Sequence, residues 1–405
     1  MTDLAELRSR RLFAQGLRPS VVEERPAAPV DLVRRAVAVQ SQEYLPAQWG
    51  LAQRIPAGVR PTAADTAAML DRGEILRTHV LRPTWHFAVP EDIRWLLELS
   101  AERVRRIQAT YDRRLGIEGE AATRALDALA AAVADGRHRT REELADALGA
   151  VGWETKGGTL LFLLIRAELE RVLISGASVG KQRTYAAFDE RVPASPPRDR
   201  EDALAELAER FLLTRSPASA RDFSAWSGFG LRDARRALAE ASARTGGRIA
   251  RFGSDASAEL WHDEGVSAAW SARDPGRAAA DDDVQRIDLL QAYDEYVMGY
   301  AVPRAYLLPP DRTDSVAPEF PLHAVATGGV LVGRWAPVVE AKRARLRFVP
   351  WRRMSRAEQN SLDTAVVDVE RFLGLPVTVD AAPLDAAAAG APPRDILPPA
   401  PGTKE

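Results

Sequence analysis

The amino-acid sequence predicts an α+β fold that is mainly α, and three observations lead to this prediction. Patterns that cap helices recur at Thr62, Thr140 and Ser219. Each capped helix leads towards short segments in which polar and apolar residues alternate, as they do in half-buried strands. Near the C-terminus, Gly328-Gly329 separates two apolar runs and predicts a hairpin. A β-meander is therefore expected after a helical region built from repeats.

The first repeat begins with a capping box at Thr62 and Asp65, in which each side chain can satisfy a backbone amide at the helix start. Two alternating segments, 75–81 and 84–89, follow the helix and are predicted to be strands. A helix that leads into a strand, a turn and a second strand is typical of a winged helix-turn-helix unit.

The same order of elements returns twice more. The capping acids Glu143 and Asp222 lie 79 residues apart, and so do the turn glycines Gly149 and Gly228. A constant offset between two patterns indicates internal repetition more strongly than either pattern alone. Three tandem winged-helix units are therefore predicted.

These patterns also predict where the chain divides. The predicted boundaries are 1–125 for the first winged-helix unit, 126–195 for the second, 196–283 for the third with an acidic loop, 284–380 for a β-rich C-terminal region with a hairpin and a closing helix, and 381–405 for a disordered tail. Within the third unit, we expect 254–283 to be a loosely structured insertion, because this segment is acidic and includes Asp281-Asp282-Asp283.

Composition excludes several classes of protein. No apolar run reaches eighteen residues, so no membrane span is expected. The chain has no cysteine and five scattered histidines, which gives a metal site little support. The charged N-terminus lacks an apolar signal core. We expect a cytoplasmic protein without a metal or a cofactor.

The charge is unevenly distributed. A net charge of −2 argues against a uniformly basic nucleic-acid binder. Between Arg334 and Arg356, however, eight Lys or Arg residues and one Glu give a local net charge of +7. This basic segment is the best candidate for phosphate contacts, although a solvated charged face would have the same composition.

One polar motif interrupts a helical pattern near the N-terminus. Apolar residues between 32 and 37 form a stripe at the helical period, and the next position on that stripe is Gln40. Gln42 lies about 200° further around a helix, so both amides can enter one site only if the helix ends. Pro46 is predicted to end it. The spacing alone favours a polar helix end over a Gln-x-Gln active site.

Five motifs in collinear order make the sequence similar to a known family. They are Gln-x-Gln, Leu-Arg-Thr with Arg-Pro-Thr-Trp-His-Phe, Ser-Ala-Arg-Asp-Phe-Ser-Ala-Trp-Ser-Gly, Tyr-Asp-Glu-Tyr-Val-Met-Gly-Tyr, and Gly-Gly-Val-Leu-Val-Gly-Arg-Trp. In this order they resemble the AlkZ-like winged-helix DNA glycosylases over roughly residues 4–375. Each motif is short, and it is their order that makes the resemblance specific.

The resemblance implies three winged-helix units in a C-shaped arrangement around a DNA channel. It implies excision of bulky or cross-linked alkylated bases from double-stranded DNA, and it makes Gln40 and Gln42 the catalytic pair. Two residues depart from the family pattern. Ser41 stands where an aliphatic residue or alanine is usual, and Pro83 stands where glycine is usual. We expect a monomer, because three different units already give a long footprint.

Glutamine is an informative residue type for this chemistry. It cannot act as a general acid or base near neutral pH, but it can hold and orient a water molecule. That is sufficient only if the leaving base is already activated. A purine alkylated at N7 is cationic and leaves as a neutral base. The predicted function is therefore a monofunctional DNA glycosylase for N7-alkylpurine lesions, serving DNA repair or self-resistance to a genotoxic compound. The alternative is a non-catalytic winged-helix DNA binder or transcriptional regulator.

Basic side chains on the predicted wings and meander are the candidates for DNA contacts. The candidate DNA-binding residues are Arg82, His86, Lys181, Arg183, Arg334, Lys342, Arg343, Arg345, Arg347, Arg352 and Arg353. For His86, a hydrogen bond to a strand neighbour is favoured over a contact with phosphate or water.

The Gly328-Gly329 hairpin could insert into a DNA groove or form an ordinary turn. Adjacent Asp294 and Glu295 diverge by about 100° on a helix, so structural anchoring is favoured.

Overall fold

The computed structural model describes residues 3–18, 26–253, 259–272, 285–309 and 323–381. About half of the chain is helical, and the strands form small sheets and one larger C-terminal sheet. Within these residues, no helix is both long enough and apolar enough to cross a membrane.

The α-helices are numbered in chain order. They are α1 (Leu4–Ala14), α2 (Pro29–Ala36), α3 (Tyr44–Ala52), α4 (Ala63–Arg72), α5 (Pro90–Leu115), α6 (Gly119–Val133), α7 (Arg141–Ala150), α8 (Thr159–Leu169), α9 (Phe188–Arg191), α10 (Arg200–Arg215), α11 (Ala220–Ser227), α12 (Leu231–Arg244), α13 (Glu264–Ser271), α14 (Glu295–Met298) and α15 (Arg356–Leu373).

The strands are numbered in the same way. They are β1 (Val39–Gln40), β2 (Leu76–His79), β3 (Trp85–Ala88), β4 (Arg139–Thr140), β5 (Leu173–Ser175), β6 (Thr184–Ala187), β7 (Ala218–Ser219), β8 (Ile249–Arg251), β9 (Leu260–Asp263), β10 (Ile287–Leu290), β11 (Ala324–Thr327), β12 (Val330–Val339), β13 (Ala344–Pro350) and β14 (Val377–Ala381).

The described residues form two compact units. The smaller unit comprises 37–42 and 67–203, and it holds the sheets β1-β3-β2 and β4-β6-β5. The larger unit comprises the other described residues and holds the sheets β7-β9-β8 and β10-β11-β12-β13-β14. The five segments predicted from sequence follow topological repeats, and their boundaries stay a prediction.

The three small sheets share one strand order. The first strand of each sheet has two residues. Its last residue pairs with the second residue of the partner strand in one sheet, Gln40 with His86, and with the first residue in the other two, Thr140 with Thr184 and Ser219 with Leu260. Thr140 and Ser219 also cap the next helix through capping boxes, as predicted. The prediction that Thr62 is their counterpart is wrong, because Thr62 pairs with the capping acid at the start of α4, the helix directly before β2.

Several elements differ from the sequence-based prediction. Helices α3, α6 and α10 were not predicted, and Pro46 lies in the first turn of α3, where a proline is tolerated, instead of ending α2. The predicted loose insertion at 254–283 is wrong for its described part, because 259–272 contains β9 and α13. Residues 254–258, 273–284 and the predicted tail from 382 lie outside the described residues.

The C-terminal sheet is an antiparallel meander to which β14 adds a parallel edge strand. Gly328 and Gly329 form the predicted two-residue turn with φ of 52° and 81°. The Tyr296 hydroxyl, which is fully buried, donates to the Gly329 carbonyl at 3.1 Å. The structure therefore shows an ordinary meander turn that packs against Tyr296. The longer β12–β13 hairpin instead carries an exposed tip at 340–343.

Buried ion pairs anchor the aromatic block of the larger unit. Asp294 accepts two hydrogen bonds from Arg54, at 2.7 and 3.0 Å, and Glu295 pairs with Arg215 at 2.6 Å. Burial would lower the pKa of Arg54, but Asp294, with smaller contributions from Glu295 and Asp288, more than offsets this, so the pKa lies above its ordinary value. Both acids are therefore structural anchors, although the anchoring expected among Tyr293, Tyr296 and Tyr300 is made through arginines.

Asp294→Ala is expected to lower the free energy of unfolding by about 3–5 kcal/mol, because it leaves a buried guanidinium without its counter-ion. Chemical denaturation measures this change. Glu102→Ala is the control: its pair with Arg106 is exposed on both sides, so the expected loss is below about 1 kcal/mol. Equal losses in the two variants would contradict the anchoring role.

Candidate active site

The Gln-x-Gln motif lies at the end of β1 and in the bend that follows it, and not at a helix end. Helix α2 stops at Ala36 because Val37 adopts a φ of 66°, a left-handed conformation that is unusual for a β-branched residue. The chain then enters β1, where Gln40 pairs with His86. The predicted helix end at Pro46 is thus wrong. Gln40 ends β1 and Gln42 lies in the bend after it, so the two side chains are not separated by the geometry of a helix.

Both amide oxygens contact the connection between β2 and β3. Arg82 Nη2 donates to Gln40 Oε1 at 2.8 Å, and the Trp85 backbone N–H donates a long hydrogen bond of 3.4 Å to Gln42 Oε1. A guanidinium and a backbone N–H are donors only. Oxygens facing these donors are chemically consistent, and the 2.8 Å contact with Arg82 supports this orientation most strongly for Gln40.

The two glutamines differ in burial. Gln40 is only 2% exposed, whereas Gln42 is half-buried. Ser41 between them is fully buried, and its backbone N–H donates to the Trp85 carbonyl at 2.8 Å, which continues the pairing of β1 with β3. The departure at Ser41 thus leaves the strand pairing beneath the glutamines in place.

Arg77 holds the backbone of the motif, and its role was not predicted. Its guanidinium donates to the Ser41 carbonyl at 2.9 and 3.0 Å and to the Gln42 carbonyl at 3.2 Å. It also lies over the Trp85 ring, 4.3 Å from the centroid. The Leu-Arg-Thr motif was the available signal, but only the tertiary structure shows which backbone atoms the arginine reaches.

His86 is fully buried on β3, and its Nδ1 lies 2.9 Å from the Thr84 carbonyl. A carbonyl only accepts, so Nδ1 carries the proton in this contact. The favoured interpretation, a strand histidine bonded to a neighbour, agrees with this placement. A direct phosphate contact from a side chain without exposed surface is not available in this structure.

One carboxylate contacts the same sheet. Glu168 accepts from the Thr78 hydroxyl at 3.1 Å and from the His79 backbone N–H at 2.9 Å, and its Oε2 lies 2.7 Å from His79 Nδ1. It is 1% exposed. With three partners and almost no exposed surface, Glu168 is an anchor of β2.

The remaining candidate DNA-binding residues lie on exposed loops and strand faces. Lys181 and Arg183 are exposed in the β5–β6 connection of the smaller unit. In the larger unit, Arg343 and Arg345 pair with Glu340 at 2.8 and 3.5 Å, and Arg352 pairs with Glu358 at 2.5 Å. Arg334 is half-buried, and the exposed cations are Lys342, Arg343, Arg345, Arg347, Arg352 and Arg353.

Comparisons with known proteins agree with the resemblance in the motifs. The family model described as DNA glycosylase AlkZ-like matches residues 33–372. Among solved structures, the chain is similar to Streptomyces sahachiroi DNA glycosylase AlkZ, with 20% sequence identity, a TM-score of 0.69, and coverage of 94% of this chain and 100% of that chain. At this identity the structural likeness concerns the fold alone. No curated protein matches the sequence significantly.

Because the family model spans most of the chain, the chain belongs to the AlkZ-like DNA glycosylases. It is accordingly a hydrolytic enzyme that acts on DNA. The resemblance inferred from the five motifs is confirmed.

Proposed function

We propose that this DNA glycosylase excises bulky or cross-linking N7-alkylpurines as a monomer, with the attacking water positioned by Gln40 and Gln42. The supporting observation is that two neutral amides direct their oxygens to one connection, residues 82–85. The role would be DNA repair, including self-resistance to a genotoxic alkylating compound.

The chemistry of the leaving group supports this substrate class. Cleavage of a normal N-glycosidic bond needs protonation of the base, and a glutamine cannot supply that proton. An N7-alkylpurine already carries a positive charge, so the bond electrons leave with the base and neutralise it. The enzyme then has to place a water molecule and stabilise developing charge, which amide dipoles can do.

The repeated topology supports a DNA-binding scaffold of three winged-helix units. Each small sheet belongs to the element order helix, strand, helix, helix, strand, strand, and its strands lie in the order first-third-second.

We further propose that the β12–β13 hairpin contacts DNA. The end of β12 exposes Val338 and Val339 next to Lys342 and Arg343 in the tip, so the hairpin offers an apolar wedge flanked by cations.

Gln40→Ala and Gln42→Ala are each expected to slow excision of N7-methylguanine by roughly 100-fold, because each removes an oriented dipole from the site. Release of abasic sites from a duplex under single-turnover conditions measures the rate. Fluorescence anisotropy is expected to show nearly unchanged DNA affinity.

Gln359→Ala is the matched control for both variants, since Gln359 lies on the exposed face of α15. It should excise at the wild-type rate. A Gln40→Ala, Gln42→Ala double variant with the wild-type rate would show that the glutamines are not the catalytic pair. Absence of abasic product from any alkylated duplex would contradict the substrate class.

Lys342→Ala with Arg347→Ala is expected to weaken DNA binding and flatten its salt dependence. The slope of log affinity against log salt should fall by about 1 for each phosphate that the variant no longer neutralises. Arg371→Ala is the control, because this exposed arginine lies on α15 and pairs with Asp368. An unchanged slope in the hairpin variant would exclude this hairpin as the phosphate-binding surface.

A further inference from the structure

We infer that Arg82 and Gln40 act as one positioning pair and that Gln42 is the amide that holds the attacking water. This division of roles rests on the proposed function and refines it. It also changes the role expected of Arg82, which the sequence had suggested as a phosphate contact.

The orientation of Gln40 is the first observation. Its carbonyl oxygen accepts a charge-assisted hydrogen bond from Arg82 at 2.8 Å, a strong type of contact. Gln40 is also 2% exposed and lies opposite the fully buried His86. An amide held in this way has little surface with which to meet water or DNA, but it is well placed to hold a neighbouring arginine.

The second observation is the contrast with Gln42. Its amide oxygen has only the long 3.4 Å hydrogen bond from the Trp85 N–H among the contacts of the described residues. A carbonyl oxygen has two lone pairs, so it can accept from a water molecule as well. Gln42 is also the more exposed of the two glutamines. Its backbone is meanwhile fixed, because Arg77 donates to its carbonyl at 3.2 Å.

The link between the two glutamines runs through the β2–β3 connection. The Arg82 guanidinium donates to the Gln40 amide oxygen. Three residues later, the Trp85 backbone N–H donates to the Gln42 amide oxygen. The start of this connection is held by α5: Ser100 accepts from the Leu81 N–H at 3.0 Å, and Arg103 donates to the Leu81 carbonyl at 2.6 Å.

Leu81 has a φ of 61°, a conformation that is unfavourable for a non-glycine residue and persists only where the surroundings enforce it. The connection is thus fixed at Leu81 by α5 and at Arg82 by Gln40, while Trp85 at its end is held by pairing with Ser41 and His79. Without the hydrogen bond from Arg82 to Gln40, residues 82–84 and the Gln40 side chain should lose their fixed place beside Gln42.

A double-mutant cycle tests the pair. Arg82→Met and Gln40→Ala should each slow single-turnover excision of N7-methylguanine by about 10- to 100-fold, since small misplacements of a positioned group have effects of this size. The double variant should be no slower than the slower single variant, because residues of one unit are not additive. Gln40→Glu keeps an acceptor for Arg82 and should retain most of the rate, but only while Arg82 is present.

DNA affinity and thermal unfolding midpoints separate positioning from binding and from loss of structure. Arg106→Met, on the exposed side of α5, is the matched control and should behave as wild type. Weakened DNA affinity with an unchanged rate at saturation would make Arg82 a phosphate ligand and overturn the inference. Multiplicative effects in the cycle would give Gln40 an independent role and overturn it as well. If wild-type enzyme itself releases no abasic sites, the proposed function fails and this inference fails with it.

Discussion

The pairing of β1 with β3 is the constraint on which the candidate site depends. It places Gln40 at the end of a strand, so the two amides are not separated as they would be on a helix. The left-handed Val37 makes this possible by ending α2 three residues before Gln40. Val37 is fully buried, so its unfavourable conformation is enforced by packing. Val37 precedes β1, and Leu81, which is also left-handed, precedes β3.

The other two small sheets use the end of the first strand differently. Thr140 and Ser219 each end the first strand of their sheet and cap the following helix. In the first sheet the following helix, α3, begins at Tyr44, and its N-cap residue Glu43 makes no side-chain capping bond. The first strand there ends at Gln40, whose side chain binds Arg82 instead of a helix N-terminus.

Local signals were predictable from sequence, and contacts between distant segments were not. The capping boxes at Thr140 and Ser219 and the two-glycine turn were predicted, because each depends on neighbouring residues. Strand β1 was missed because two residues carry no period, and its existence depends on pairing with β3. Helix α6 begins without a side-chain cap, so no capping pattern in the sequence marks its start.

The same distinction holds for the site. The resemblance selected Gln40 and Gln42, but Arg77 and the role of Arg82 emerge only from tertiary contacts.

The requirement for a cationic leaving base is tested most directly with two matched duplexes, one with N7-methylguanine and one with its neutral 7-deaza isostere. If the enzyme relies on two neutral amides, it should produce abasic sites in the first duplex and none in the second. Comparable excision of both bases would show that the enzyme activates the leaving group, and would contradict a site that works by positioning water alone.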